Sequence, residues 1–158
     1  MPVDRVIVRA PATSANMGPG FDALGFAMEL RDEVMFERAS DAESSAITLD
    51  PDGRQVSLGI PTGSDNLALR AFATAFRDAG QAAPAVRVCI VNRIPVARGL
   101  GSSASAIVAG LMAADAFMGI APDLQRLLST AARIEGHPDN TAACILGGIT
   151  ASSFVGAR

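Results

Sequence analysis

The chain has no lysine. All 13 of its basic residues are arginine, so every mechanism that depends on a lysine amine is excluded. Histidine occurs once, at His137, too little nitrogen for a zinc cluster. The two cysteines, Cys89 and Cys144, follow no metal-ligand spacing, and each lies in an apolar run where a thiol serves as a small buried hydrophobe. A surplus of charge is missing as well: a net charge of −3 gives no footprint for nucleic acid or for an anionic membrane. The opening MPVDRVIVRAPA carries Asp4 and alternates like a strand, unlike a secretory leader. Long hydrophobic runs are nearly absent. Only SASAIVAGLMAADAFMGIA (103–121) approaches membrane-helix length, and Asp115 within it, with Ala and Gly in excess, marks a buried helix of an α/β layer. Together these absences predict a cytoplasmic protein.

What is present reads as one folded domain over 1–158: 49% hydrophobic and 18% charged residues, in a chain long enough to bury roughly 68–70% of its unfolded surface. Period-2 alternation predicts strands at 3–12, 32–39 and 85–93. Residues 40–63 are polar and turn-rich, with DPDG (50–53) as a turn, and predict an irregular excursion or short hairpin. Leu69, Phe72 and Phe76 recur at helical spacing after a cap at Ser64 or Asp65 and before a stop at Gly80. A second amphipathic helix is expected over 122–135, with Pro122 in its first turn. A short helix through TAACIL and a strand over GGITASSFV (147–155) complete the pattern.

The segment PVARGLGSSAS (95–105) lies between a buried strand and the Ala-rich helix. Glycines let backbone approach a ligand, and a helix start offers unpaired N–H groups and the positive end of the dipole, so an anion fits there. Gly99, Gly101, Ser102 and Ser103 would supply donors, with Arg98 at the edge. The Walker pattern fails for want of lysine, and the dinucleotide pattern fails because Ala104 stands where its third glycine would be. Gly101→Val is expected to block backbone approach while leaving the fold intact.

Two further polar segments interrupt the apolar chain: PATSANMGPGFD (11–22), with Asn16 and Asp22, and EGHPDN (135–140), with Glu135, His137, Asp139 and Asn140. Read alone they are turns and helix caps. Read together with the loop, PATSANMGPGFDALGFAM, PVARGLGSSASA and EGHPDNTAACILGG resemble the homoserine kinases, within the superfamily that also holds galactokinase, mevalonate kinase and phosphomevalonate kinase. The resemblance runs over residues 3–151. It implies an α/β (α+β) domain like domain 2 of ribosomal protein S5, a mostly antiparallel sheet with helices, and transfer of the ATP γ-phosphoryl group to L-homoserine. Pro95, Arg98, Gly99, Leu100, Gly101, Ser102, Ser103 and Ala104 fall on the triphosphate loop, and Asn66 falls near the adenine pocket. Glu135, with Ser102 and Ser103, falls where Mg²⁺ is held. Asn16, Asp22 and His137 fall on the substrate side, with Asn140 orienting the hydroxyl and Asp139 either accepting its proton or shaping the loop.

The resemblance implies a kinase about twice as long, with a ferredoxin-like second half that this chain is expected to lack. The chain is therefore expected to be the ATP-binding N-terminal domain, weakly active or inactive alone. The other readings are a kinase of the same superfamily acting on another small hydroxy acid or amino alcohol, and a non-catalytic nucleotide- or partner-binding fragment. Neither nucleic acid nor membrane is expected as partner; a homodimer stays open.

Overall fold

The computed structural model describes residues 2–40 and 44–153. Alternation builds its sheet. β1 (Arg5–Ala15) turns Val8, Ala10 and Ala12 inward, and β2 (Leu24–Arg38) turns Asp32, Val34 and Phe36 inward, the placement of strands with one buried face. β1 pairs antiparallel with β2, and β2 antiparallel with β4 (Val86–Val91). β3 (Ser45–Leu49) then adds to β4 in parallel, and β5 (Ile149–Ala151) pairs antiparallel with the front of β2. The order β1-β2-β4-β3 is thus mostly antiparallel, as expected.

Two departures have a shared cause. β2 begins at Leu24 rather than at 32, because Leu24–Phe26 find partners in β5 and at Ala15 and Ser14 of β1. β3, within the excursion expected to be irregular, is a true strand because β4 offers it a parallel edge. Both depend on partners far away in sequence, which local pattern does not record. The DPDG turn forms as expected, with Asp50 Oδ1 accepting from the N–H groups of Asp52 (3.0 Å) and Arg54 (2.8 Å). Pro11, lacking an N–H, marks the place where the β1–β2 register shifts, between Pro11↔Arg31 and Thr13↔Ala27.

Four helices follow from the expected periodicities, with corrected starts. α1 (Leu67–Asp78) is capped by Asn66, not by Ser64 or Asp65: its Oδ1 accepts from Ala68 N (3.0 Å) and Leu69 N (3.3 Å). Gly80 (φ 69°) ends it, as expected. α2 (Ser102–Met118) is the buried central helix, packed on α1 and β1. α3 (Leu124–Glu135) starts behind Asp123, whose Oδ1 accepts from Arg126 N (2.9 Å), so Pro122 stands outside the helix. α4 (Asp139–Leu146) is the short helix, and β5 realises only the middle of the strand expected over 147–155, whose last residues lie outside the described ones. No helix among the described residues is long and apolar enough to cross a membrane.

Phe72 of α1 centres the core, stacking on Phe36 (5.4 Å between centroids) and meeting Phe117 edge-on (5.3 Å). Cys144 is buried, with its thiol pushed up to about 12 by that burial, and Cys89 is half-buried. Asp115, inside α2, is also buried. Arg126 of α3 reaches it, Nη2 lying 2.6 Å from each carboxylate oxygen, yet burial still holds the Asp115 carboxyl above its ordinary range.

Candidate active site

β4 leads into a turn tied down by Asp32. Because Asp32 shares the inward parity of Val34 and Phe36, its carboxylate arrives from beneath and accepts from the N–H groups of Arg93 (2.6 Å) and Ile94 (2.8 Å). Burial raises its pKa, and these bonds, with Asn92, oppose that rise. From there the chain loops through 95–101 with Ala97, Gly99 and Gly101 at positive φ. Thr13 of β1 holds the far end, its N–H donating to Leu100 O (3.1 Å). α2 then starts with Gly101 at its cap position and no side-chain cap. The N–H groups of its first turn keep their hydrogens for an anion.

Gly101 and Gly99 differ in what they leave room for. A Cβ on Gly101 would lie 2.0 Å from Thr13 Oγ1, whereas one on Gly99 meets nothing within 4 Å. The expectation that Gly101→Val spares the fold is therefore corrected: that glycine makes room for Thr13, and Gly99 is the one facing open space.

The opposite wall comes from the end of α3 and the start of α4. Ser103 Oγ donates to Glu135 Oε1 (2.5 Å), joining loop and acid across 32 residues of chain. Thr13 Oγ1 donates to Asn140 Oδ1 (2.9 Å). Asp139 is 1% exposed; its Oδ1 accepts from Asn140 N (2.7 Å) and meets His137 Nδ1 (2.8 Å), while Oδ2 has no partner among the described residues.

These walls enclose a cleft of about 530 Å³. Asn66, Arg98, Gly99, Leu100, Gly101, Ser102, Ser103, Glu135, His137 and Asn140 line it. Pro95, Ala104, Asp139, Asn16 and Asp22 are not on its wall. Ala104 and Asp139 are buried below it, and Asn16 and Asp22 form their own turn, with Asn16 Oδ1 accepting from Asp22 N (2.9 Å). Asn66 lines the cleft with its oxygen already spent on capping α1 and its Nδ2 donating to Pro61 O (2.9 Å). Sequence reading missed Asp32, Asn92, the 59–61 wall and Thr13. A carboxylate on the inward parity of a strand was the available signal for Asp32.

Among the described residues no three His, Cys, Asp or Glu side chains gather into a metal cluster. Mg²⁺ does not need one. It takes one or two protein oxygens and fills its shell from phosphates and water, and a carboxylate beside a hydroxyl at a helix start without a side-chain cap suits it.

Comparison with known proteins identifies the family. The model of the GHMP kinases N terminal domain matches residues 66–148. The chain is 44% identical to homoserine kinase of Moorella thermoacetica over 147 residues, covering 93% of this chain and 48% of that one. It is 48% identical to homoserine kinase of Streptomyces coelicolor over 150 residues, covering 93% and 47%. The crystal structure of homoserine kinase from Cytophaga hutchinsonii superposes with a TM-score of 0.77 at 30% identity, covering 93% and 48%. Mevalonate kinase of Methanococcus jannaschii, at 17% identity, shares the fold with a TM-score of 0.67 over 92% and 52%. The chain spans about half the length of these relatives. With the family model matching more than half of its length and these relatives aligned over nearly all of it, this chain belongs to the GHMP kinase N-terminal domain family.

Proposed function

We propose that the protein is a homoserine kinase, transferring the γ-phosphoryl group of ATP to the side-chain hydroxyl of L-homoserine, and that this chain carries its ATP-binding half. The observation that carries the reading is the Ser103–Glu135 contact in the cleft. An acid held beside a loop whose helix start has no side-chain cap supports a metal-bound triphosphate there. The names of the relatives point to homoserine as acceptor.

Phosphoryl transfer asks for positioning and for relief of charge rather than for covalent help. The N–H groups around Gly99–Ser103 hold the phosphates. Val34, Ile90 and Leu67 offer an apolar slot for the adenine, with Asn66 and Asn92 at its border. Glu135 and the hydroxyls of Ser102 and Ser103 would hold Mg²⁺, which supplies charge neutralisation on the phosphate oxygens. Asn140 faces the acceptor hydroxyl, and Asp139, buried beneath, shapes the turn that carries His137 and Asn140. Asp22, exposed on its own turn, is suited to the substrate ammonium through charge-assisted hydrogen bonds. The homoserine oxygen bonds to phosphorus as the bond from phosphorus to the β-phosphate oxygen breaks; ADP leaves, and the hydroxyl proton passes to a phosphoryl oxygen or to water.

Phosphorus NMR of the chain with ATP, Mg²⁺ and L-homoserine tests this directly. Displaced ATP lines report the nucleotide site, and a growing phosphomonoester line reports transfer. If neither changes, the reading fails. Gly99→Val should retain a cooperative melt, its midpoint lowered by the strain of a β-branched residue at φ 70° but not by a clash, because its side chain enters open space, while lowering ATP affinity about tenfold or more by filling the phosphate approach. Asp22→Ala should weaken L-homoserine by about 2 kcal/mol, the worth of a charge-assisted bond, and leave ATP affinity unchanged. Calorimetric titration with each ligand separates the two effects.

A further inference from the structure

Thr13 is fully buried and lies outside the cleft wall, yet it touches both sides of the site. Its N–H donates to Leu100 O (3.1 Å) at the end of the phosphate loop. Its Oγ1 stands 2.0 Å from where a Cβ on Gly101 would be. The same oxygen donates to Asn140 Oδ1 (2.9 Å). A hydroxyl has one proton to give, and here the carboxamide oxygen takes it. That bond fixes where the Asn140 amide lies, and the acceptor-only carboxylate of Asp139 on the Nδ2 side matches its sense, oxygen toward Thr13. Its Nδ2, engaged among the described residues only by a 3.5 Å bond to Asp139 Oδ1, is the end with a hydrogen left for a ligand.

We propose that Thr13 is a positioning residue: it presents Asn140 as a hydrogen-bond donor to the acceptor hydroxyl, at a spacing from the phosphate loop that the same side chain fixes. The inference rests on the homoserine kinase reading and goes beyond it. Asn140 then holds the hydroxyl oxygen by donating to it and takes no proton from it. One oxygen lone pair stays available for phosphorus, and the O–H proton points away from Asn140.

The test compares L-homoserine with L-2-aminobutyrate, the same skeleton without the hydroxyl, by ligand-observed NMR titration of the chain with Mg²⁺ and a non-hydrolysable ATP analogue. The parent should prefer homoserine by about fivefold or more, the scale of one hydrogen bond. Thr13→Val removes the hydroxyl at nearly constant shape and should bring that preference to about one, with affinity for aminobutyrate and for the nucleotide analogue within about twofold of the parent. Thr13→Ser should keep the preference. If valine prevents folding, Thr13→Ala against Thr13→Ser makes the same comparison with side chains that fit. Hydroxyl-free variants that keep the parent's preference would overturn the proposal. So would a parallel loss of aminobutyrate and nucleotide, since Thr13 would then serve packing alone. A parent with no preference for homoserine would instead overturn the homoserine reading beneath it.

Discussion

Gly101→Val should destabilise the fold rather than merely empty the proposed phosphate site. The backbone at Gly101 has φ 67°, a region that costs an L-residue roughly 1–2 kcal/mol, and a β-branched one more. The new Cβ would also stand 2.0 Å from Thr13 Oγ1 and 3.1 Å from Thr13 N. Thr13 has no room to retreat: it is fully buried and bonded to Leu100 and Asn140. Overpacking of this kind adds about 1–3 kcal/mol, and a displaced Thr13 gives up both bonds. A total of about 3–5 kcal/mol is a large part of the roughly 5–15 kcal/mol that holds a domain folded. At 2–4 °C per kcal/mol for a chain of this size, the melting midpoint read by circular dichroism should fall by roughly 10 °C or more. A variant melting within about 2 °C of the parent while losing ATP would restore Gly101 as a point of ligand approach.

Arg126→Met carries the second large effect, far from the cleft. It leaves Asp115 in α2, with a side chain 1% exposed, without its cation. Breaking a buried pair from one side costs about 3–5 kcal/mol; the lower end applies because the Arg126 side chain is 34% exposed. In urea, with a slope near 2 kcal/mol per M, the midpoint should fall by about 1.5 M at pH 7. The pH dependence has a definite sign. Burial already raises the Asp115 carboxyl in the folded state, so its contribution is most favourable below the unfolded pKa and is lost as pH rises through the folded one. Without Arg126 the folded pKa rises further. The deficit should therefore be greatest at neutral pH and shrink as the medium is made acid. Adding Asp115→Leu should recover most of the loss, and a deficit unchanged by pH would place its origin in packing of the arginine stem.

Legibility followed locality. The loop at 95–105 and the buried helix behind it could be read because glycine, serine and a strand-to-helix change of period are adjacent in the chain. Glu135 and Asn140, which line the cleft, were reachable only through motif resemblance, since nothing local in EGHPDN says that a serine 32 residues earlier will reach Glu135. β3 could not be read: its five residues acquire their state from a parallel neighbour across an intervening helix. Asn66 was passed over as a cap because Ser64 and Asp65 carry the same capping chemistry, and the choice was made by the Pro61 carbonyl that receives its amide. Thr13 was hidden in a strand motif, where a threonine is ordinary, and only the fold brings Gly101 and Asn140 to it.

The lone histidine gives the cleft a reporter of its own. His137 sits on the cleft wall, partly exposed, with Nδ1 against the buried carboxylate of Asp139. An unlabelled sample therefore has one imidazole, and its ring protons report on the cleft wall without any assignment experiment. Nucleotide, magnesium and amino acid can each be added in turn while one pair of sharp lines records which of them reaches this edge.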